Sequence, residues 1–118
     1  MEGILVIAHG SRAKETEASL DAVIAMVRTK LPEACIECAF MEFSDRTVER
    51  GVEALIGRGV TGIRIIPYFL FMGIHLQQDI PRLVAECAAK FPDVGITMAP
   101  PLDIDERLAD IVVDRITR

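Results

Sequence analysis

Four times along this chain a short apolar run gives way to a stretch whose apolar residues recur every three or four positions. Short apolar runs without clean alternation suit strands buried on both faces, and the three-to-four spacing marks the inner stripe of an amphipathic helix. The first strand is expected at about residues 3–8, then a helix at about 13–30 with Leu20, Val23, Ile24, Val27 and Leu31 facing inward. Pro32 stops that helix. The second strand is expected at about 35–41, followed by a helix at about 45–57, capped by Ser44 or Asp45, with Val48, Val52, Leu55 and Ile56 inside. Gly57 and Gly59 end it. The third strand runs from Ile63 to about Phe69, and its helix is expected to open near Asp79, with Pro81 in the first turn, and to reach about Lys90. Gly95–Ala99 is the fourth strand, closed by Pro100 and Pro101, and a last helix runs from about Ile104 with Leu108, Ile111, Val112 and Ile116 inward.

Strict strand–helix alternation requires a parallel sheet with helices on both faces. Right-handed crossovers favour a doubly wound, four-stranded order 2-1-3-4. A length of 118 fits one domain, residues 1–118.

That sheet gives meaning to the two histidines, the only ones in the chain. Ligands of such folds bind beyond the carboxyl ends of the strands, where the strand order reverses. Here that switch lies between the first and third strands. His9 closes the first and is followed by Gly10-Ser11-Arg12; His75 lies just past the third. Both imidazoles are thus expected to flank one crevice, and histidine is the commonest protein metal ligand and titrates near neutral pH. Gly10 and Gly73 allow close backbone approach, and Ser11 offers a hydroxyl to an anion. Leu70, Phe71, Met72, Gly73 and Ile74 are more apolar than a surface loop requires and suit the floor under a large flat ligand. Glu42 and Asp45 follow the second strand on the same edge, able to take a proton, orient a histidine or sit near a metal. Asp45 is equally explained as a helix cap.

Composition narrows the remaining classes. A net charge of −5 argues against bulk nucleic-acid binding. No apolar stretch approaches a membrane span, and the N-terminus, with Glu2 and no basic region, does not read as a signal peptide, so a cytoplasmic protein is expected. Cys35, Cys38 and Cys87 are too few for a disulfide framework. Cys35 and Cys38 fall in a strand, where positions three apart face opposite sides, so all three are expected to be buried small hydrophobes.

The segments Leu5-Val6-Ile7-Ala8-His9-Gly10-Ser11-Arg12, Met41-Glu42-Phe43-Ser44 and Pro67 to His75, followed by Asp79-Ile80-Pro81, resemble the short-form sirohydrochlorin metal chelatases. That group includes the cobaltochelatase of anaerobic cobalamin synthesis and the nickelochelatase of the methanogen nickel tetrapyrrole pathway. The resemblance covers nearly the whole chain. It implies a chelatase-like (flavodoxin-like) α/β fold, a homodimer with active sites between subunits, and no permanently bound cofactor. The divalent metal, cobalt or nickel, is then a co-substrate. It also implies that His9 binds the metal and accepts a pyrrole proton and that His75 is the second ligand. Substrate contacts would come from Asp45 and from Leu70, Phe71, Met72, Gly73, Ile74 and His75. Ala8 stands where the family often has Gly, and Asp45-Arg46 where it often has Glu-Pro; the histidine-rich stretch of some members is absent. Because sirohydrochlorin is a polycarboxylate and the chain is acidic, Arg12, Arg46 or Arg82, or helix N-termini, would have to supply local attraction. Two other readings compete: a non-catalytic metal or tetrapyrrole carrier using the same histidines, and a flavodoxin-like mononucleotide binder centred on Gly10-Ser11.

Overall fold

The computed structural model describes residues 1–118 as eight alternating elements. These are β1 (Glu2–Ala8), α1 (Glu15–Lys30), β2 (Cys35–Phe40), α2 (Val48–Gly57), β3 (Gly62–Pro67), α3 (Ile74–Lys90), β4 (Gly95–Met98) and α4 (Glu106–Thr117). All strands are parallel, in the order β2-β1-β3-β4 that the alternation predicts. β1 lies between β2 and β3, with Gly3 level with Cys35 and Ile63.

Because side chains alternate across a strand, β1 feeds two separate cores. Leu5 and Ile7 pack with Val48, Val52 and Leu55 of α2 and Cys87 of α3. Val6 turns the other way, onto Leu20 and Ile24 of α1 and Ile36 of β2. Each such side chain, fully buried, contributes about 1.5–3 kcal/mol. Burial on both faces is why the strand reads as an unbroken apolar run.

Local signals misplace three features. α3 opens at Ile74, with Gly73 as its N-cap, five residues before the expected start at Asp79. Pro81 therefore sits inside the helix, where it cannot donate to the Gln77 carbonyl. The helix persists because Ile80 is fully buried and Leu83, Val84 and Cys87 pack against the sheet. Gly73 has φ −71°, open to any residue, so the special backbone freedom expected of it is not used. α2 is capped by Thr47, whose hydroxyl accepts from the Arg50 N–H at 3.2 Å, and not by Ser44 or Asp45.

α4 departs furthest from expectation. It forms as a helix, with Asp105 as its cap, yet it buries no residue; Ile111, Val112 and Ile116 face solvent. The radius of gyration, 14.9 Å, exceeds the roughly 13.5 Å of a compact chain of this length. Val23 of α1 and its C-cap Leu31 are likewise exposed, while Leu20 and Ile24 are buried.

All three cysteines are free. Cys35 packs on the α2–α3 side and Cys38 on the α1 side, so the two sulfurs cannot meet. Cys38 and Cys87 are buried as expected, and burial pushes both thiols up. Cys35 is only half-buried, with its sulfur 3.6 Å from an Arg58 nitrogen. A thiol reagent added to the native protein should therefore modify Cys35 first, with Cys38 and Cys87 reacting only on unfolding. Peptide mapping after timed labelling checks this order, and early labelling of Cys38 would contradict it.

Candidate active site

The ladder between β1 and β2 runs on past the strands. Ala8 is level with Phe40, the Met41 N–H donates to the Ala8 carbonyl at 3.0 Å, and the Glu42 N–H donates to the His9 carbonyl at 3.2 Å. This register carries His9 and Glu42 to the same height beyond the sheet. Their side chains meet there, His9 Nε2 lying 2.9 Å from Glu42 Oε1. His9 is 60% exposed and Glu42 48%, so the pair stands open to an incoming ligand. Phe69, buried two residues past β3, sets its ring edge-on to the imidazole, with centroids 6.5 Å apart at 83°.

Two backbone devices make this approach possible. Gly10 takes φ +95°, and a Cβ there would lie 2.0 Å from the Glu42 carbonyl oxygen. Phe43 takes φ +59°, a left-handed conformation that bulky residues rarely adopt. Its carbonyl accepts from Lys14 Nζ at 2.7 Å, and the Arg12 guanidinium lies 4.9 Å over its ring. The two loops that follow β1 and β2 are thus tied together at backbone and side-chain level. Such outliers cost about 1–3 kcal/mol and persist where the surroundings over-determine them.

Beside His9 an open cavity of about 350 Å³ lies on the α1 side of the sheet edge. Ala8, Leu20, Val23, Phe40 and Tyr68 supply its apolar lining, with Gly10, Ser11, Thr16 and Ser19 at its polar margin. The Ser11 hydroxyl accepts from the Ala13 N–H at 3.1 Å and so serves the turn into α1. The expected apolar floor is elsewhere: Leu70, Phe71 and Ile74 do not line this cavity but stand exposed, Phe71 at 65% and Ile74 at 73%. Met72 is half-buried, and its carbonyl accepts from Gln77 Nε2 at 2.8 Å.

His75 sits in the exposed first turn of α3, one residue beyond its start, rather than in a loop before it. It lies past β3, next to β1 in the sheet, on the edge that the topology predicts. Asp45 opens onto a different groove, shared with Arg46, Thr47 and Arg50, and is not part of the cavity beside His9. No three His, Cys, Asp or Glu side chains converge on one point to form a closed cage for an ion.

The contacts of Phe43 and Phe69 with the site were not visible in sequence. Phe69 reads there as a buried strand extension; it is buried, but β3 ends at Pro67, and nothing in the chain marks the left-handed turn at Phe43. Chemically, the His9–Glu42 pair offers a nitrogen donor, an oxygen donor and a place for a proton. Imidazole and carboxylate together suit borderline divalent ions.

The family model described as CbiX matches residues 3–118. The chain is 35% identical to a sirohydrochlorin ferrochelatase of Priestia megaterium over 98% of this chain and 44% of that protein. It is 33% identical to a sirohydrochlorin cobaltochelatase of Methanosarcina barkeri over 97% of this chain and 93% of that one. Among solved structures, the sirohydrochlorin chelatase SirB from Bacillus subtilis subspecies spizizenii, in complex with cobalt, superposes with a TM-score of 0.89 at 30% identity, covering 98% of this chain and 50% of SirB. A putative cobalamin biosynthesis CbiX protein from Marinobacter aquaeolei superposes at 0.84 with 26% identity, covering 99% and 95%. The chain spans about half the length of the ferrochelatases it matches. With matching sequence, strand order and superposition along almost its full length, the chain belongs to the CbiX family.

Proposed function

We propose that this chain is a sirohydrochlorin chelatase, exchanging two pyrrole protons of the free-base ring for one divalent metal ion, cobalt or nickel. The observation that carries the reading is the exposed His9–Glu42 pair, 2.9 Å apart beyond the carboxyl ends of β1 and β2 in a CbiX fold. His9 holds the ion and accepts a pyrrole proton, and Glu42 lies where it can pass that proton on. His75 is the second imidazole ligand. An uncaged donor set suits transfer, because the incoming ring nitrogens need open coordination positions. The exposed segment Leu70 to Ile74 supplies apolar contact for the ring. Asp45, in its separate groove, is not carried into the proposed site. The metal is a substrate, and no resident cofactor is invoked. Relatives are named for cobalt and for iron.

Anaerobic absorbance assays with metal-free sirohydrochlorin and cobalt, nickel or ferrous iron test the reading. Turnover is expected, lost in the His9→Ala, His75→Ala double variant. Stoichiometric binding without turnover would instead make the protein a metal or tetrapyrrole carrier.

We further propose that the working form is a cytoplasmic homodimer. The chain spans 50% of SirB, and a second copy supplies an equivalent second half. The surface that it would cover carries several exposed apolar side chains. The Leu102 and Asp103 N–H groups donate to the Phe69 and Leu70 carbonyls, which sets exposed Leu70, Phe71 and Ile74 beside the approach to α4 with its exposed Ile111 and Val112. Patches of this kind mark interaction sites. Ile111→Glu should therefore shift the protein from dimer to monomer in light scattering and lower the insertion rate in parallel. A fully active wild-type monomer would refute the dimer.

A further inference from the structure

The substrate proposed above is a ring of carboxylates, and the protein is acidic overall, at −5. Some group on the edge of the site must therefore hold an anion against that background. Sequence position leaves Arg12, Arg46 and Arg82 equally eligible, and the structure separates them. Arg46 already grips Asp21 with both terminal nitrogens, each at 2.9 Å. Arg82 reaches Asp79 on its own helix at 3.4 Å. Arg12 meets no carboxylate; its guanidinium lies over the Phe43 ring, 4.9 Å from the centroid. Held over the ring and in no ion pair, the guanidinium keeps its N–H groups free to donate.

The position of this guanidinium is built from both sides. Arg12 follows His9 by three residues, and Phe43 follows Glu42 by one. Phe43 is turned by its φ of +59°, and its carbonyl is tied to Lys14 Nζ at 2.7 Å. An arginine already held over an aromatic ring loses less rotamer freedom on binding than one free in solvent, and its fork matches a carboxylate with two parallel hydrogen bonds.

We propose that Arg12 is a substrate-specificity residue, gripping one peripheral carboxylate of the tetrapyrrole and so setting the ring against the His9–Glu42 pair, with Phe43 as its platform. The inference rests on the chelatase reading, but its test separates the two. Metal-free sirohydrochlorin is titrated by absorbance onto wild type, Arg12→Gln, Arg12→Lys and Phe43→Leu, and cobalt insertion is followed on the same preparations. Arg12→Gln should weaken binding and raise the KM for sirohydrochlorin by about tenfold, the size of one lost charge-assisted contact. Its kcat and its KM for cobalt should stay within about twofold of wild type. Arg12→Lys should recover part of the loss, and Phe43→Leu should show a smaller one. The gap between wild type and Arg12→Gln should narrow as salt is raised.

Binding and KM of Arg12→Gln within twofold of wild type would overturn the proposal. So would a fall in kcat at unchanged KM, which would make Arg12 a positioning residue for the His9–Glu42 pair. A wild type that binds sirohydrochlorin without turnover sinks the chelatase reading alone, because the titration still decides Arg12. A wild type that does neither sinks both. Arg12 is exposed, so its variants should melt with wild type.

Discussion

His9→Ala should lower kcat/KM for metal insertion by roughly a hundredfold to ten-thousandfold, the range spanned by removal of a positioned acid–base group. The side chain has two tasks in the proposed reaction, and alanine can do neither. The imidazole's one free lone pair would hold the ion first and, once the ion has passed to the ring, would take a pyrrole proton, with Glu42 Oε1 2.9 Å from Nε2. Because the imidazole is 60% exposed, little packing is lost, and thermal denaturation should stay close to wild type. Glu42→Gln separates the two tasks. The amide keeps the size of the side chain and a hydrogen bond to His9 but cannot take the proton, so metal binding should survive better than turnover. His75→Ala should weaken metal capture while leaving sirohydrochlorin binding largely intact. Rates from the anaerobic absorbance assay, set beside equilibrium metal binding, resolve the three variants. A His9→Ala variant retaining more than a tenth of wild-type kcat/KM would sink the proposed role.

The legibility of this site follows from which interactions are local. Strand order was readable because alternating strand and helix signals leave right-handed crossovers few alternatives, and the two-sided burial of Leu5, Val6 and Ile7 shows directly as an apolar run. The same order assigns His9 and His75 to one edge of the sheet. The start of α3 was not readable, since Asp79-Ile80-Pro81 imitates a cap followed by proline. Full burial of Ile80 carries the helix through Pro81 instead, a tertiary gain opposing a local cost of about 3 kcal/mol. α4 shows a different limit. Its periodicity reveals a face that needs cover, but not whether the same chain provides it. The His9–Glu42 contact lies between these cases. Both residues could be assigned to strand ends, but their meeting depends on register and on the left-handed turns at Gly10 and Phe43.

Gly10→Ala follows from that dependence and should be the most damaging single methyl group in the protein. Alanine at φ +95° meets the steric penalty of left-handed backbone, roughly 1–2 kcal/mol. The new Cβ would also stand 2.0 Å from the Glu42 carbonyl oxygen, a separation that no heavy-atom contact tolerates. At Gly51 the nearest obstacle, at 2.6 Å, is the end of the flexible Leu5 side chain, which can move aside. At Gly10 the obstacle is backbone. It is held by the Glu42 N–H bond to the His9 carbonyl and by the Lys14 bond to the next carbonyl. Relief therefore requires the two loops to part, adding about 1–3 kcal/mol in the manner of an overpacked core. The sum, roughly 2–5 kcal/mol, is a large share of the 5–15 kcal/mol that typically holds a domain folded. Urea denaturation should show a lower midpoint at unchanged slope. Insertion activity should fall further than the folded fraction alone explains, because parting the loops withdraws Glu42 from His9. Ser11→Gly, which removes only a hydroxyl that accepts from the Ala13 N–H, should leave both readouts near wild type. If Gly10→Ala matched wild type in midpoint and rate, the close approach of the two loops would not be what assembles the pair.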